Sequence, residues 1–95
     1  MTETTFGRDL DLSVEQMNAQ GYKPTIFRRM LAEHGPVGTA QRLLATAKPS
    51  EGFYELARLQ RLDLSLEAIV LKHHALFTQD EVRTAQERLE TARGW

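Results

Sequence analysis

Histidines are the first side chains of this sequence to consider for metal or proton chemistry, because the chain has no cysteine. Thiolate zinc sites, cysteine nucleophiles and disulfides are therefore excluded. His73 and His74 are neighbours, so on a helix their side chains point in different directions, and neither has a third ligand four residues away. His34 falls where a helix is predicted to end, which favours a helix-terminal or solvent-facing role. We predict no metal site and no histidine base.

Carboxylates and serines give no stronger indication of catalysis. Two acidic pairs share a predicted helix with compensating arginines, which is typical of a solvated face; they are Asp80–Glu81 and Glu87–Glu90, with Arg83 and Arg88. The segment 35–38 contains two glycines but lacks the lysine and the spacing of a phosphate-binding loop. The three serines, at 13, 50 and 65, occupy predicted helix starts or turns rather than a nucleophile motif. We predict that the protein is not an enzyme and has no cofactor.

Basic residues are concentrated in the middle of the chain, although the formal net charge is −1 at pH 7. Residues 21–61 contain seven Lys or Arg residues and three Glu residues, and they include a tight helix-to-helix connection at His34-Gly35-Pro36. This layout resembles a helix-turn-helix nucleic-acid reader whose second helix would expose Thr39, Gln41 and Arg42. The pI near 6.3 and the sparse basic stripe weigh against it. Nucleic-acid binding is therefore the alternative hypothesis, with these candidate contacts: Lys23, Arg28, Arg29, Gln41 and Arg42.

Protein binding is the leading hypothesis, because several aromatic side chains fall near predicted helix ends. Tyr54 follows Phe53, which is predicted to face inward, so Tyr54 is expected to point outward beside Arg58 at i+4. Trp95 is a further candidate for a contact with a partner or with another copy of the chain. The sequence thus predicts a small helical adaptor or accessory module that binds a protein partner or self-associates, through Tyr54, Arg58 and Trp95.

Helical periodicity runs through most of the chain and predicts an all-α, single compact domain of five or six short helices. Residues 1–11 show little periodicity and predict a flexible arm, followed by a helical domain over 12–95 that begins with Asp11-Leu12-Ser13 as a cap. Ile26, Phe27, Met30 and Leu31 form an apolar stripe that ends at Gly35. Residues 61–65 suggest a short extended link. Helix starts are predicted at Lys23-Pro24-Thr25, at Ser65 and at Thr78, where Glu81 completes a capping box.

Composition fits an ordinary globular protein, with 41% hydrophobic and 26% charged residues. No apolar run approaches membrane-spanning length, and the N-terminal residues lack a signal-peptide pattern. We expect a cytoplasmic protein with no membrane contact.

One resemblance covers most of the chain, from about residue 21 to residue 89. It rests on short runs of sequence: Gly21-Tyr22-Lys23-Pro24-Thr25, residues 30–35, Arg42-Leu43-Leu44, Gly52-Phe53, residues 61–68 and Leu76-Phe77-Thr78. These runs resemble a small, uncharacterised bacterial helical domain that occurs alone or at the ends of larger proteins. The resemblance implies a portable accessory module, and it brings no named activity and no functional residues.

Overall fold

Helices are the only regular secondary structure in the part of the chain that this computed structural model describes, residues 2–94. The elements, in chain order, are α1 (Glu3–Ala19), α2 (Thr25–Leu44), α3 (Glu51–Arg58), α4 (Leu66–Lys72) and α5 (Gln79–Arg93), with single 3-10 turns at Leu62–Leu64 and His74–Leu76. The predicted all-α single domain is confirmed. The turn at Leu62–Leu64 replaces the extended link that the sequence suggested.

Most helix starts carry a side-chain cap that the sequence specifies locally. Ser65 accepts a hydrogen bond from the backbone N–H of Ala68 at the start of α4. Thr78 and Glu81 form the predicted capping box at the start of α5. Each cap satisfies an N–H group that has no partner within its own helix. The two predictions at these positions are confirmed.

The first helix corrects the prediction for residues 1–11. Instead of a flexible arm, α1 begins at Glu3, and Phe6 and Leu10 are 0% and 1% exposed. Phe6, Leu10 and Val14 recur every four residues, so the apolar stripe of this helix starts one and a half turns before the predicted cap. Ser13, predicted to cap the helix, lies buried within it and donates a hydrogen bond to the carbonyl of Leu64.

Helix α2 consists of two halves joined at Gly35, which has φ 75° and ψ 172°. Only glycine adopts this left-handed backbone without strain from a Cβ. Pro36 follows and suits the first turn of the second half, where its missing N–H leaves no gap. The predicted tight helix-to-helix connection is confirmed. Pro36 also packs against α1 so closely that a Cβ added to Gly7 would lie 3.1 Å from its Cγ.

The core is built around α4, a short helix whose residues reach two clusters of buried side chains. The main cluster joins α1, α2, α4 and α5, and its buried members are Phe6, Leu10, Ala40, Leu44, Leu66, Ile69, Val70 and Ala85. A second cluster lies between α1 and α3, with Met17, Leu56 and Leu64. The third joins Phe53 to Leu89 and Ala92 at the end of α5. Helix α3 therefore contributes buried residues to both smaller clusters and none to the main cluster.

Candidate functional site

A groove of about 440 Å³ separates the start of α2 from the start of α3, and we call it the α2–α3 groove. Its lining residues come from all four of the first helices: residues 22–27 and Met30, residues 50–53 and Leu56, and Met17, Leu43 and residues 65–67. Most of these side chains are apolar. The groove thus has the size and composition of a site for a small apolar group.

Ile26 stands on the edge of this groove with 69% of its surface exposed. The sequence placed it in the buried stripe of α2, and that assignment is wrong. Phe27 and Leu31 pack against the main core cluster, and Ile26 lies about 100° around the helix from Phe27. The helix therefore turns Ile26 away from the core and leaves a large apolar side chain in solvent.

The two edges of the α2–α3 groove carry opposite charges. Lys23 lies on the α2 side and Glu51 on the α3 side, and both are exposed. None of the ion pairs found among residues 2–94 includes either side chain. Burial, with the nearby charges of Glu55 and Glu51, raises the pKa of the Tyr22 hydroxyl, which stays protonated at the groove wall.

A buried ion pair lies beneath the groove. Glu67 lines the groove and is 3% exposed, and its Oε2 lies 3.2 Å from Nη1 of Arg88. Burial raises the pKa of the Glu67 carboxyl, although hydrogen bonds from its own backbone and from Arg88 act in the opposite direction. Arg88 also donates to the carbonyl oxygens of Leu43 and Thr46, at 3.0 and 2.7 Å. Arg88 therefore supplies hydrogen-bond donors to backbone carbonyls at and just after the C-terminal end of α2.

Arg88, predicted to lie on a solvated face, is only 8% exposed, so that prediction is wrong. Arg88 lies three residues after Ala85 and four before Ala92, so it falls on the buried stripe of α5. That spacing was the available signal. A charged residue within an apolar stripe indicates a buried partner, and Glu67 is that partner.

A second polar pair joins α1 to the end of α4. His73 is 3% exposed, and its Nε2 lies 2.6 Å from Oδ2 of Asp9. The hydrogen bond with His73 and the charge of Lys72 lower the pKa of Asp9. An ionised carboxylate only accepts, so Nε2 is the donor in this contact. Nδ1 is buried with no hydrogen-bond partner among the described residues, which fits a structural contact between α1 and the end of α4.

The predicted protein-binding residues line a different surface. Tyr54 and Arg58 border a broad, open depression of about 720 Å³ between α3 and the end of α5, together with Ala92 and Arg93; we call it the α3–α5 depression. Tyr54 is 43% exposed, and its ring meets that of Phe53 edge to face. Arg58 binds Glu55. Trp95 lies outside the described residues.

The predicted nucleic-acid contacts are all exposed, namely Lys23, Arg28, Arg29, Gln41 and Arg42. Thr39 is an exception to the expected reading face, because it is 0% exposed and its hydroxyl has no partner. Thr39 lies one turn before Leu43, so it belongs to the inward side of α2. Of the three residues predicted to be exposed on the second half of α2, only Gln41 and Arg42 are therefore exposed.

Within residues 2–94 there is no group of three or more histidine, aspartate or glutamate side chains that could hold a metal ion. The described helices include none that is both long and apolar enough to cross a membrane. Comparison with protein-family models, with curated proteins and with solved structures found no match for this chain. The α2–α3 groove and the α3–α5 depression are therefore the candidate functional surfaces.

Proposed function

We propose that this chain is a small, non-enzymatic helical interaction module that binds protein through the α2–α3 groove. The observation that carries the proposal is Ile26, a large apolar side chain that is 69% exposed at the edge of an apolar groove. Exposed apolar side chains next to a concave apolar surface are typical of binding faces. An amphipathic helix, which presents apolar residues at i, i+3 and i+4, fits a groove between two helices.

The polar groups around the groove support binding rather than catalysis. Glu67 is engaged by Arg88, and Arg88 is engaged by two backbone carbonyls, so both buried charges hold helices together. Lys23 and Glu51, which have no ion-pair partner among the described residues, lie at the edges, where charges orient a partner. Such a module also suits the accessory role that the sequence resemblance implies.

The proposal can be tested with a displayed library of random amphipathic helical peptides and isotope-labelled protein. We expect selected peptides to shift backbone amides of residues 22–30 and 50–56. Ile26→Ser should abolish selection, whereas Leu12→Ser should not, because Leu12 is 49% exposed on α1 and does not line the groove. Shifts confined to residues 54–62 and 89–93 would transfer the binding face to the α3–α5 depression. A library that yields no binder contradicts the proposal.

Nucleic-acid binding is the second candidate, favoured by unpaired cations on α2. None of the ion pairs in the described part of the chain uses Lys23, Arg28, Arg29 or Arg42. Titration with a random-sequence DNA duplex should then shift amides of residues 23–42 strongly at low salt and weakly at physiological salt. Arg28→Ala with Arg29→Ala should weaken binding, whereas Arg83→Ala on α5 should not. No shift at low salt contradicts this candidate.

A further inference from the structure

The α2–α3 groove and the side chain suited to fill it belong to the same chain. Ile26 stands at the edge of its own groove and is too exposed to fill it. We infer that the occupant of the groove is a second copy of this chain, with Ile26 of each copy inserted into the groove of the other. This inference rests on the proposed function, because it names the partner of the same groove.

A two-fold axis satisfies this arrangement. In a closed dimer of this kind, the same patch is used on both copies, so a projection and a depression must lie side by side on one surface. Ile26 and the groove meet that condition, since Ile26 is itself one of the lining residues. Both apolar surfaces are then removed from water by one contact, which is the driving force for association.

The charges at the edges fit the same axis. When the two-fold axis runs along the groove, the α2 edge of one copy lies against the α3 edge of its partner. Lys23 then faces Glu51 of the other copy, and this contact occurs twice. Within the described part of one chain, residues 2–94, neither side chain forms an ion pair.

Sedimentation equilibrium over a concentration series tests the apolar contact. The wild-type chain should change from monomer to dimer as concentration rises from micromolar to millimolar, because a small interface gives a weak dimer. Ile26→Ser should raise the dimer dissociation constant at least about a hundredfold, since each dimer buries this side chain twice. Leu12→Ser is the matched control and should leave the constant unchanged. A dimer that Ile26→Ser does not weaken overturns the inference.

Charge reversal tests the axis itself. Lys23→Glu and Glu51→Lys should each weaken the dimer by about tenfold, because either change places like charges at both edge contacts. An equimolar mixture of the two variants should associate again, since one copy then carries acids at both positions and the other carries bases. Adding Ile26→Ser to both variants should remove this rescue. A mixture that associates no better than the single variants contradicts the two-fold arrangement.

The outcomes separate this inference from the proposed function. A chain that stays monomeric at millimolar concentration, while its groove still selects amphipathic peptides, keeps the interaction function and removes the second copy as occupant. A monomer that selects no peptide contradicts both. A dimer whose association shifts amides of residues 22–30 and 50–56, and competes with selected peptides, supports both.

Discussion

Arg88 links three parts of the fold through one guanidinium group. It pairs with Glu67 on α4 and donates to two carbonyls at the end of α2, while its own Cα lies on α5. A charge in this position is costly to bury unless every donor finds an acceptor. The side chain therefore acts as a cross-link whose removal leaves several groups unpaired at once.

Replacing Arg88 should cost more stability than replacing its acidic partner. Arg88→Met leaves the buried Glu67 carboxylate without its counter-charge and removes the donor to the Thr46 carbonyl, so we expect a loss of about 3 kcal/mol in the free energy of unfolding. Glu67→Gln keeps an amide-oxygen acceptor for Arg88 but removes its counter-charge, while Arg88 keeps its two carbonyl acceptors, so it should cost about 1–2 kcal/mol. Urea denaturation measures both, and equal losses would contradict this account.

Asp9 should make stability depend on pH in the acid range. The hydrogen bond with His73 places the folded-state pKa of Asp9 below its ordinary value of 3.8, so folding favours the ionised form. That stabilisation is present above the ordinary value and is lost as pH falls through the folded-state pKa. Asp9→Asn should therefore cost about 2 kcal/mol near pH 6, and its difference from the wild type should shrink below pH 4.

Denaturation curves at several pH values measure this difference. Asp11→Asn is the matched control, because Asp11 lies on the same helix, is exposed and forms no ion pair with any described residue. A difference between wild type and Asp9→Asn that stays constant from pH 6 to pH 2 contradicts the role given to the pair.

Helix α2 is divided into two halves by the non-helical backbone of Gly35. The half before Gly35 forms one wall of the groove, and the half after it packs on α1 and ends at the carbonyls that Arg88 holds. Gly35→Ala should destabilise the protein by about 1–2 kcal/mol, since φ is 75°. Gly38→Ala is the control on the same helix.

A Cβ at Gly38 would meet Cβ of His34 at 3.4 Å, which is close to ordinary contact. Alanine also favours helix over glycine, so Gly38→Ala should leave stability unchanged or raise it by up to about 1 kcal/mol. Thermal denaturation followed by circular dichroism measures both variants. A Gly35→Ala protein as stable as Gly38→Ala would show that the break in α2 is not required.

Helix α1 should prove to be part of the core rather than an appendage. The ring of Phe6 lies 5.4 Å from that of His73 and 5.2 Å from that of Phe77, both edge to face. Phe6→Ala should therefore cost about 3–5 kcal/mol, whereas Leu12→Ala on the exposed side should change stability by no more than about 0.5 kcal/mol. Urea denaturation distinguishes them, and a small effect of Phe6→Ala would restore the flexible arm that the sequence predicted.

Local signals in the sequence were sufficient for much of the fold. The start of α2 after Pro24, the break at Gly35, the Ser65 cap and the Thr78–Glu81 capping box each depend on residues within one turn of each other. The first turns of α1 were missed because Phe6 packs on residues more than sixty positions away. Helical periodicity indicates that a helix has an apolar side, but it does not indicate which neighbouring residues cover that side.

The α2–α3 groove and the α3–α5 depression depend on tertiary packing, which no local sequence pattern specifies. Ile26 follows the helical spacing of Phe27 and Met30 well enough to be counted with them, and only the position of the neighbouring helices leaves it exposed. Tyr54 was predicted to face outward, and the structure places it on the α3–α5 depression. The groove itself depends on the relative placement of α2 and α3, which helical periodicity does not reveal.

The molecule as a whole measures 28 × 27 × 22 Å, with a radius of gyration of 12.1 Å. Because the molecule is small, the residues that line the α2–α3 groove come from four helices, α1, α2, α3 and the start of α4. Its residues are spread from Met17 to Glu67, so no single helix contains the complete groove.

Because unfolding disperses this lining, whatever fills the groove binds the native chain and not the denatured one. Occupancy is then coupled to the folding equilibrium, and a free ligand at a hundred times its dissociation constant adds about 2.7 kcal/mol to stability. The free energy of unfolding of a small domain is modest, so this added amount is a large fraction of it. Copies without an occupant would unfold more often and be degraded first, so a dimer of the kind inferred above would outlast its own monomer in a cell.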